Sequence, residues 1–226
     1  MSNELIKPHA GKLINCYCDN SKAQEYKDRA VNYSSHTLTD RQLCDLELIL
    51  NGAFSPLDGF MVQKDYNSVL DNNRLSDGNI WSIPIVLDIQ FELADSISIN
   101  DKLALRDKEG YLIAILEIND KWNYNKELEA KKVYGTTDIS HTGVRYLFEN
   151  GGDVCVGGKL IGIERPHHHD FLDIRLDPNE TREYFKNNNW DKIVAFQTRN
   201  PMHRAHKEIM QRAADEIDGK ALLHPV

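Results

Sequence analysis

Two arginines and two histidines follow closely on one another in the segment Q-T-R-N-P-M-H-R-A-H, which runs from Gln197 to His206. Arg199 supplies a permanent cation with several donors, and the imidazoles of His203 and His206 can donate, accept or carry a charge. The segment contains no carboxylate, cysteine or lysine, so it lacks a strong general base or covalent nucleophile. These residues suit a reaction between groups that are already ionised, in which the protein aligns the reactants and stabilises charge.

The residues around this segment have the pattern of a strand, a helix and a second strand. The apolar run I-V-A-F begins the region and A-L-L ends it, and such continuous runs are typical of strands buried on both faces of a parallel sheet. Between them apolar residues recur at helical spacing. The residues predicted to form the buried face of that helix are Met202, Ala205, Ile209, Ala213 and Ile217. The sequence therefore predicts a parallel βαβ unit.

The start of this helix is predicted from Asn200, a favoured N-cap residue, and from Pro201, which suits the first helical position. Gly219 is predicted to end the helix. With that start, His203 and His206 lie side by side in the first two turns. The unpaired N–H groups and the dipole at a helix N-terminus stabilise an anion by about 0.3–1 kcal/mol per charge. Phosphate is the ligand that this arrangement favours.

Charge is distributed unevenly along the chain, whose formal net charge is -8. Residues 1–166 contain 18 Lys and Arg against 25 Asp and Glu, and residues 167–226 contain 9 against 10. This acidity argues against a nucleic-acid partner, which would require a basic face to neutralise phosphates. Residues 197–212, in contrast, contain four Lys and Arg against one Glu, a local excess that attracts small anions.

The rest of the composition is that of an ordinary globular protein. No apolar run has the length of a membrane span, and the N-terminus lacks the apolar stretch of a secretory signal, so no membrane partner and a cytoplasmic location are expected. The spacing of Cys16, Cys18, Cys44 and Cys155 fits neither a disulfide framework nor a zinc site.

The front of the chain has the pattern of a small sheet with helices. One helix is predicted from Thr39 or Asp40 to Gly52, and a short one at residues 64–70. From residue 80 the periodicity changes to that of strands, with a D-K-E-G hairpin turn, and residues 142–149 form a helix before a Gly-rich last strand. The prediction is a small antiparallel sheet or barrel. The first forty residues show no sustained periodicity and are expected to wrap the domain.

A polar segment, E-R-P-H-H-H-D, follows the last strand and is interpreted as a linker. Adjacent side chains of an extended segment point to opposite sides, so His167, His168 and His169 are not expected to bind one metal ion together. Beyond the linker, Asp177 is a predicted N-cap with Pro178 and Glu180 in favourable positions after it, which indicates a helix that ends near residue 188.

At this point a resemblance to a known family is plain. Q-T-R-N-P-M-H-R-A-H is similar to the signature of the ATP sulfurylase, or sulfate adenylyltransferase, family. Three other segments resemble the same family in the same order, namely R-Q-L-C-D-L-E-L-I-L-N-G-A-F-S-P-L-D-G-F, R-L-S-D-G-N-I-W-S-I-P-I and A-L-L-H-P-V. The likeness covers most of residues 38–226.

The resemblance implies a mixed α/β fold in two domains. Residues 1–166 would form an N-terminal PUA-like β-barrel domain with helices. Residues 167–226 would form the beginning of a Rossmann-like parallel α/β nucleotidyltransferase domain. Family members continue well beyond a segment like A-L-L-H-P-V, and a later G-R-D-H-A-G loop completes their nucleotide and sulfate sites. This chain contains no match to that loop, so we expect the 226-residue chain alone to have little or no activity.

The resemblance also implies the reaction and the residues that perform it. MgATP and sulfate would give adenosine 5'-phosphosulfate and pyrophosphate, with Mg²⁺ entering as MgATP and the full-length protein forming a homo-oligomer. Gln197 and Arg199 resemble sulfate ligands, and residues 197–200 resemble the part of the ATP site that faces the phosphates. The residues that match catalytic positions of the family are Thr198, Arg199, Asn200, His203 and His206.

Two alternatives remain open. The first is another nucleotidyltransferase of the same superfamily that acts on a cofactor precursor, although such proteins usually have Gly before the second His, where this chain has Ala205. The second is an RNA-binding PUA-like module with a scaffold behind it, which the acidic front disfavours. A zinc-helix motif would need its histidines four residues apart around a Glu, and no G-x-x-x-x-G-K phosphate loop occurs.

Overall fold

The computed structural model describes residues 5–225, which divide into two compact units. The larger unit is Lys12–Leu172, and the smaller contains residues 5–11 and 173–225. None of the helices among residues 5–225 is both long and apolar enough to cross a bilayer.

The larger unit is built on a sheet of six strands, with helices before and between them. Its elements in chain order are α1 (Asn20–Arg29), β1 (Ser34–Thr37), α2 (Asp40–Leu50), β2 (Gly59–Phe60), α3 (Gln63–Asn72), β3 (Leu87–Ile89), α4 (Phe91–Ser96), β4 (Lys102–Arg106), β5 (Leu112–Asn123), α5 (Lys126–Tyr134), α6 (Thr142–Glu149) and β6 (Val154–Gly162).

The strands of this sheet lie in the order β1-β4-β5-β6-β2, and β3 also pairs with β6. Every pairing is antiparallel except β1 with β4, which is parallel. The sheet is therefore mixed rather than purely antiparallel. The described strands form an open sheet, so the expected closed barrel is not confirmed within residues 5–225.

Helix α2 lies where its sequence signals placed it. The side chain of Thr39 accepts a hydrogen bond from the backbone N–H of Gln42, whose own side chain accepts from the backbone of Thr39, which completes a capping box. After the helix, Gly52 has a φ of +89°, the left-handed conformation predicted for it. The apolar stripe of α2 is fully buried at Leu46 and Leu50, in the main core of the unit.

The first forty residues are more regular than predicted, because they include α1 and β1. Helix α1 is capped by Asp19 and buries only Ala23, so it lacks the apolar stripe by which helices are recognised in sequence. Helix α5 was missed for a similar reason, since its buried residues are Glu129 and Ala130. In both cases packing stabilises a helix that the hydrophobic pattern does not indicate.

The region from residue 80 contains less strand than its apolar pattern suggests. Only Leu87–Ile89 forms β3, and Phe91 begins the short helix α4. Pro84, within the predicted run, has no N–H to donate to a strand ladder. The later strands β4, β5 and β6 and the helix α6 occur as predicted, with β5 extending to Asn123.

The smaller unit contains the predicted strand, helix and parallel strand. Its elements are α7 (Pro178–Asn187), β7 (Ile193–Thr198), α8 (Arg204–Glu216) and β8 (Lys220–Pro225). Helix α7 begins with the predicted capping box, in which the Asp177 side chain accepts from the backbone of Glu180. Strands β7 and β8 are parallel, so the predicted βαβ unit is confirmed. Neither strand is buried on both faces, since half-buried and exposed residues alternate from Val194 to Thr198 in β7, and β8 is exposed except at the half-buried Leu222.

Candidate active site

The strand β7 ends where the chemistry-bearing segment begins. Gln197 and Thr198 are the last two residues of the strand, and Arg199 and Asn200 follow in the turn before α8. Open parallel sheets bind ligands at the carboxyl ends of their strands, which is the end of β7 where these residues lie. The parallel register also places His224 of β8 opposite Gln197. Sequence reasoning missed His224, although the A-L-L-H-P-V strand was recognised and its parallel pairing would have indicated the position.

The prediction that Asn200 caps the helix is wrong. The N-cap is His203, whose extended backbone precedes the first helical residue, Arg204. Asn200 is instead held in the turn by Thr198, because the Thr198 hydroxyl accepts from the Asn200 N–H and donates to the Asn200 carbonyl, both at 3.1 Å. This side-chain turn competes successfully with the capping role, and Pro201 consequently lies before the helix rather than in its first turn.

The buried face predicted for α8 is also wrong. The inward-facing residues are His206, Met210, Ala213 and Ala214, at helical spacing, and Ala214 is fully buried. Of the predicted set Met202, Ala205, Ile209, Ala213 and Ile217, only Ala213 is half-buried, whereas Ile209 is 63% exposed. The small side chains of Ala213 and Ala214 allow α8 to approach β7 and β8 closely, and the branched residues lie on the other side of the helix.

The end of α8 differs in detail from the prediction. Asp218, with a φ of 51°, takes the left-handed conformation that was expected of Gly219. The N–H of Gly219 donates to the carbonyl of Ala214 at 2.8 Å and so closes the helix one residue after the left-handed position. Aspartate is among the few residues other than glycine that tolerate this conformation.

The two histidines of the motif lie in contact despite the later helix start. Their rings are stacked, with centroids 3.9 Å apart and an interplanar angle of 28°. Nδ1 of His203 accepts a hydrogen bond from the backbone N–H of Ala205 at 3.2 Å, which is how the residue caps α8. Phe196 also contacts the pair, with its ring centroid 5.4 Å from that of His206. Nδ1 of His206 is buried and has no hydrogen-bond partner among residues 5–225.

The other motif residues are distributed around this pair. Thr198 and Asn200 contact each other, as described above, and Thr198 is half-buried. Gln197 and Arg199 are exposed, and within the part of the chain that is described their side chains make no hydrogen bond or ion pair. The two imidazoles therefore contact each other, and Thr198 contacts Asn200. The amide of Gln197 and the guanidinium of Arg199 keep N–H donors that a ligand could use.

Positive charge accumulates beside the N-terminus of α8. Arg199, Arg204 and Lys207 are all exposed there, and the first acidic residue after the turn, Glu208, accepts a 2.7 Å hydrogen bond from Arg212. The orphan N–H groups of the first helical turn add a partial positive charge at the same place. The site can therefore bind an anionic group through neutral donors and cations, but it offers no carboxylate for proton abstraction.

The three consecutive histidines belong to the larger unit and are more than a polar linker. The ring of His167 packs edge-on against Tyr111, with centroids 5.0 Å apart. Nε2 of His168 lies 2.7 Å from Oε1 of Glu47. Among residues 5–225 no group of three or more His, Cys, Asp and Glu side chains is arranged to hold a metal ion.

Comparison with known families divides the chain in two. Residues 6–165, which are more than half of the chain, match the family described as PUA-like domain, so the larger part of the protein is a PUA-like domain. Residues 172–226 match the family described as ATP-sulfurylase.

Individual relatives agree with both matches. A sulfate adenylyltransferase of Eremothecium gossypii is 44% identical over 223 residues, which are 98% of this chain and 44% of the relative. The sulfate adenylyltransferase of Saccharomyces cerevisiae is 49% identical over 189 residues, which are 84% of this chain and 37% of the relative. A solved structure described as a hexameric APS kinase from Thiobacillus denitrificans superposes with a TM-score of 0.79 at 33% identity, covering 98% of this chain and 39% of that one.

The two family matches correspond to successive parts of the chain. The PUA-like domain is followed along the chain by the region that matches the ATP-sulfurylase family, which contains β7, the turn after it and α8. The chain contains a PUA-like domain and is similar over most of its length to sulfate adenylyltransferases. It spans about two fifths of the length of the curated relatives that it matches, from 44% of the Eremothecium protein to 37% of the Saccharomyces protein.

Proposed function

We propose that this chain is part of a sulfate adenylyltransferase. In the proposed reaction a sulfate oxygen attacks the α-phosphorus of MgATP, the bond to the β-phosphate oxygen breaks, and adenosine 5'-phosphosulfate and pyrophosphate are formed. The observation that carries the proposal is the stacked pair of imidazoles at the start of α8, directly after a parallel strand that ends in the family motif. Relatives 44–49% identical over most of the chain bear the name of this activity.

The chemistry of the site residues fits this reaction. Sulfate is fully ionised at neutral pH and needs no base, and the site contains none between Gln197 and His206. The protein then has to align two anions and to stabilise the charge that develops on the phosphates. In phosphoryl-type transfers, positioned hydrogen-bond donors perform this task most effectively. Mg²⁺ enters as part of the MgATP substrate.

Each motif residue has a proposed role. Arg199 binds sulfate with its forked, permanently charged guanidinium, together with the amide of Gln197. Thr198 and Asn200 form the turn that faces the ATP phosphates, and their mutual hydrogen bonds fix its shape. His203 and His206 donate to the α-phosphate and to the leaving pyrophosphate.

The proposal extends to the organisation of the whole protein. Residues 1–166 form the PUA-like domain, completed in the family as a β-barrel-like structure, and residues 167–226 begin a Rossmann-like catalytic domain. The intact protein is a cytoplasmic homo-oligomer.

A molybdate-dependent ATP-cleavage assay on the intact gene product tests the function. Molybdate replaces sulfate and gives an unstable anhydride, so that AMP and pyrophosphate accumulate. We expect cleavage by the wild type and a loss of about 10²–10³-fold in Arg199→Ala and His203→Ala, the size seen when one transition-state donor is removed. Arg212→Gln is the matched control, because Arg212 is an exposed cation of the same helix paired with Glu208. Cleavage that is absent in the wild type, or equal in all four proteins, refutes the proposal.

A further inference from the structure

The hydrogen bond that caps α8 restricts where protons can reside on His203. Its Nδ1 accepts from the N–H of Ala205 at 3.2 Å. An imidazole nitrogen can accept a hydrogen bond only when it carries no proton, and in the neutral ring the proton is then on the other nitrogen. The cap therefore requires the neutral form of His203 with hydrogen on Nε2.

His206 is restricted by burial rather than by a partner. Its ring contacts those of His203 and Phe196, and its Nδ1 is shielded from solvent with no partner among residues 5–225. A proton on Nδ1 would place a buried N–H without an acceptor, and such orphaned donors are rarer in proteins than under-used acceptors. The arrangement favours the same tautomer, with hydrogen on Nε2.

The charged and ionisable groups near the two rings belong to the turn, to α8 and to β8. Strand β7 contributes Phe196, Gln197 and Thr198, none of which ionises, and β8 contributes His224 opposite Gln197. The exposed charges of the turn and of the first turn of the helix are positive, namely Arg199, Arg204 and Lys207, and the first carboxylate of α8, Glu208, is paired with Arg212.

We propose that His203 and His206 act as a pair of neutral Nε2–H donors, and that His203 serves at once as the N-cap of α8 and as a ligand-binding group. Donation to phosphate rests on the proposed function, whereas the tautomer does not. The positive charge of the site then comes from Arg199 and from the helix N-terminus, not from imidazolium rings.

The first test is the tautomer itself, measured on this 226-residue chain labelled with ¹⁵N-histidine. Two-bond ¹H–¹⁵N correlation spectra at pH 7.5 distinguish a protonated from an unprotonated ring nitrogen, and the variants His203→Gln and His206→Gln assign the signals. We expect an unprotonated Nδ1 and a protonated Nε2 for both rings. A protonated Nδ1 on either ring, in the neutral or the doubly protonated form, overturns the proposal.

The second test separates the cap from the imidazole. In His203→Asn the side chain keeps a capping acceptor, whereas His203→Ala has none. We expect amide hydrogen exchange at Ala205 to be about five-fold faster in the alanine variant, the equivalent of a cap worth ~1 kcal/mol, and near the wild-type rate in the asparagine variant. Equal Ala205 exchange in the wild type and His203→Ala overturns the dual role.

A control for general destabilisation is available in the larger unit. His141 caps α6 in the same manner, with its Nδ1 accepting from Val144 N–H at 3.4 Å. Exchange at Val144 should respond to His141→Ala and not to the His203 variants. If the intact protein does not cleave ATP but both rings show the expected tautomer, only the proposed function is refuted. If the protein cleaves ATP but Nδ1 of His203 is protonated, only the tautomer proposal is refuted.

Discussion

Nε2 of His168 lies 2.7 Å from Oε1 of Glu47, so that the segment after β6 is bonded to α2. Both side chains are about three-quarters buried, with 27% and 26% exposed, so the contact is better shielded than a surface ion pair. We expect His168→Ala to lower the free energy of unfolding of the larger unit by about 1 kcal/mol. Urea denaturation measures this, with the exposed neighbour changed in His169→Ala as control. Equal effects of the two substitutions would show that the bond is not formed in solution.

The hydroxyl of Tyr66 donates to the buried carboxyl group of Glu129 at 2.8 Å. Burial raises the pKa of Glu129 above its ordinary value, and the bond from Tyr66 opposes that shift. Tyr66→Phe leaves the carboxyl group without this donor, and we expect a loss of stability of about 1–3 kcal/mol at neutral pH. The measurement is urea unfolding, and a loss below 0.5 kcal/mol, ordinary for surface changes, contradicts the assignment.

The raised pKa of Glu129 predicts the sign of a pH effect. Folding favours the protonated acid, so its contribution is fully present below the unfolded-state pKa and is lost as pH rises through the raised folded-state pKa. Relative to the wild type, Glu129→Gln should therefore gain stability as pH rises from 4.5 to 7, since the amide does not ionise. Unfolding curves measured across this pH range test the prediction. The control is Glu127→Gln, which changes an exposed carboxylate of the same helix α5. If the difference in the free energy of unfolding between Glu129→Gln and the wild type is constant with pH, the prediction is contradicted.

Gly59 of β2 lies against β6 so closely that a methyl group would not fit. A Cβ atom at this position would be 1.8 Å from the carbonyl oxygen of Gly158, which is backbone and cannot move aside. We expect Gly59→Ala to cost at least 1–3 kcal/mol, the usual range for overpacking. Gly78→Ala is the comparison, because Gly78 has a φ of +95° but open space around its Cβ position. The Tm of Gly59→Ala should be well below that of Gly78→Ala. The reverse order would contradict the close approach of Gly59 to the backbone of Gly158.

The turn formed by Thr198 and Asn200 should matter for catalysis more than for folding. Thr198→Val keeps the shape of the side chain but removes both hydrogen bonds to Asn200. For the proposed reaction, we expect kcat/KM of the intact protein to fall by about 10²-fold, the effect of a displacement near 1 Å at a reacting group. Thr198→Ser, which retains the hydroxyl, should keep most of the activity. Equal activity of the valine and serine variants would show that the hydroxyl does not position the turn.

Local sequence signals predicted those parts of the fold that depend on few residues. The capping boxes at Thr39 and Asp177 require only a cap residue and its partner three positions later, and both occur. The parallel pairing of β7 with β8 followed from two apolar runs joined by a helix. The pairing of His203 with His206 was predicted from a spacing of three, and it survives a helix start that the sequence misplaced.

Competing local interactions and tertiary contacts account for the parts that were not predicted. Asn200 and Pro201 form a typical helix start, but the hydroxyl of Thr198 stabilises a turn there instead. Helix α1 buries only Ala23, so no periodic pattern indicates it. The contact of His168 with Glu47 joins residues 121 positions apart, and nothing in the local sequence indicates such a partner.

The most direct test of the proposed activity runs the reaction backwards in the intact protein. A site that stabilises the transition state in one direction stabilises it in the other, so ATP should form from adenosine 5'-phosphosulfate and pyrophosphate. Luciferase-coupled detection should record ATP formation by the wild type and at least a 100-fold slower rate in the double variant His203→Ala, His206→Ala, in line with the loss of transition-state donors. No ATP formation by the wild type, or an unchanged rate in the folded double variant, would contradict the account.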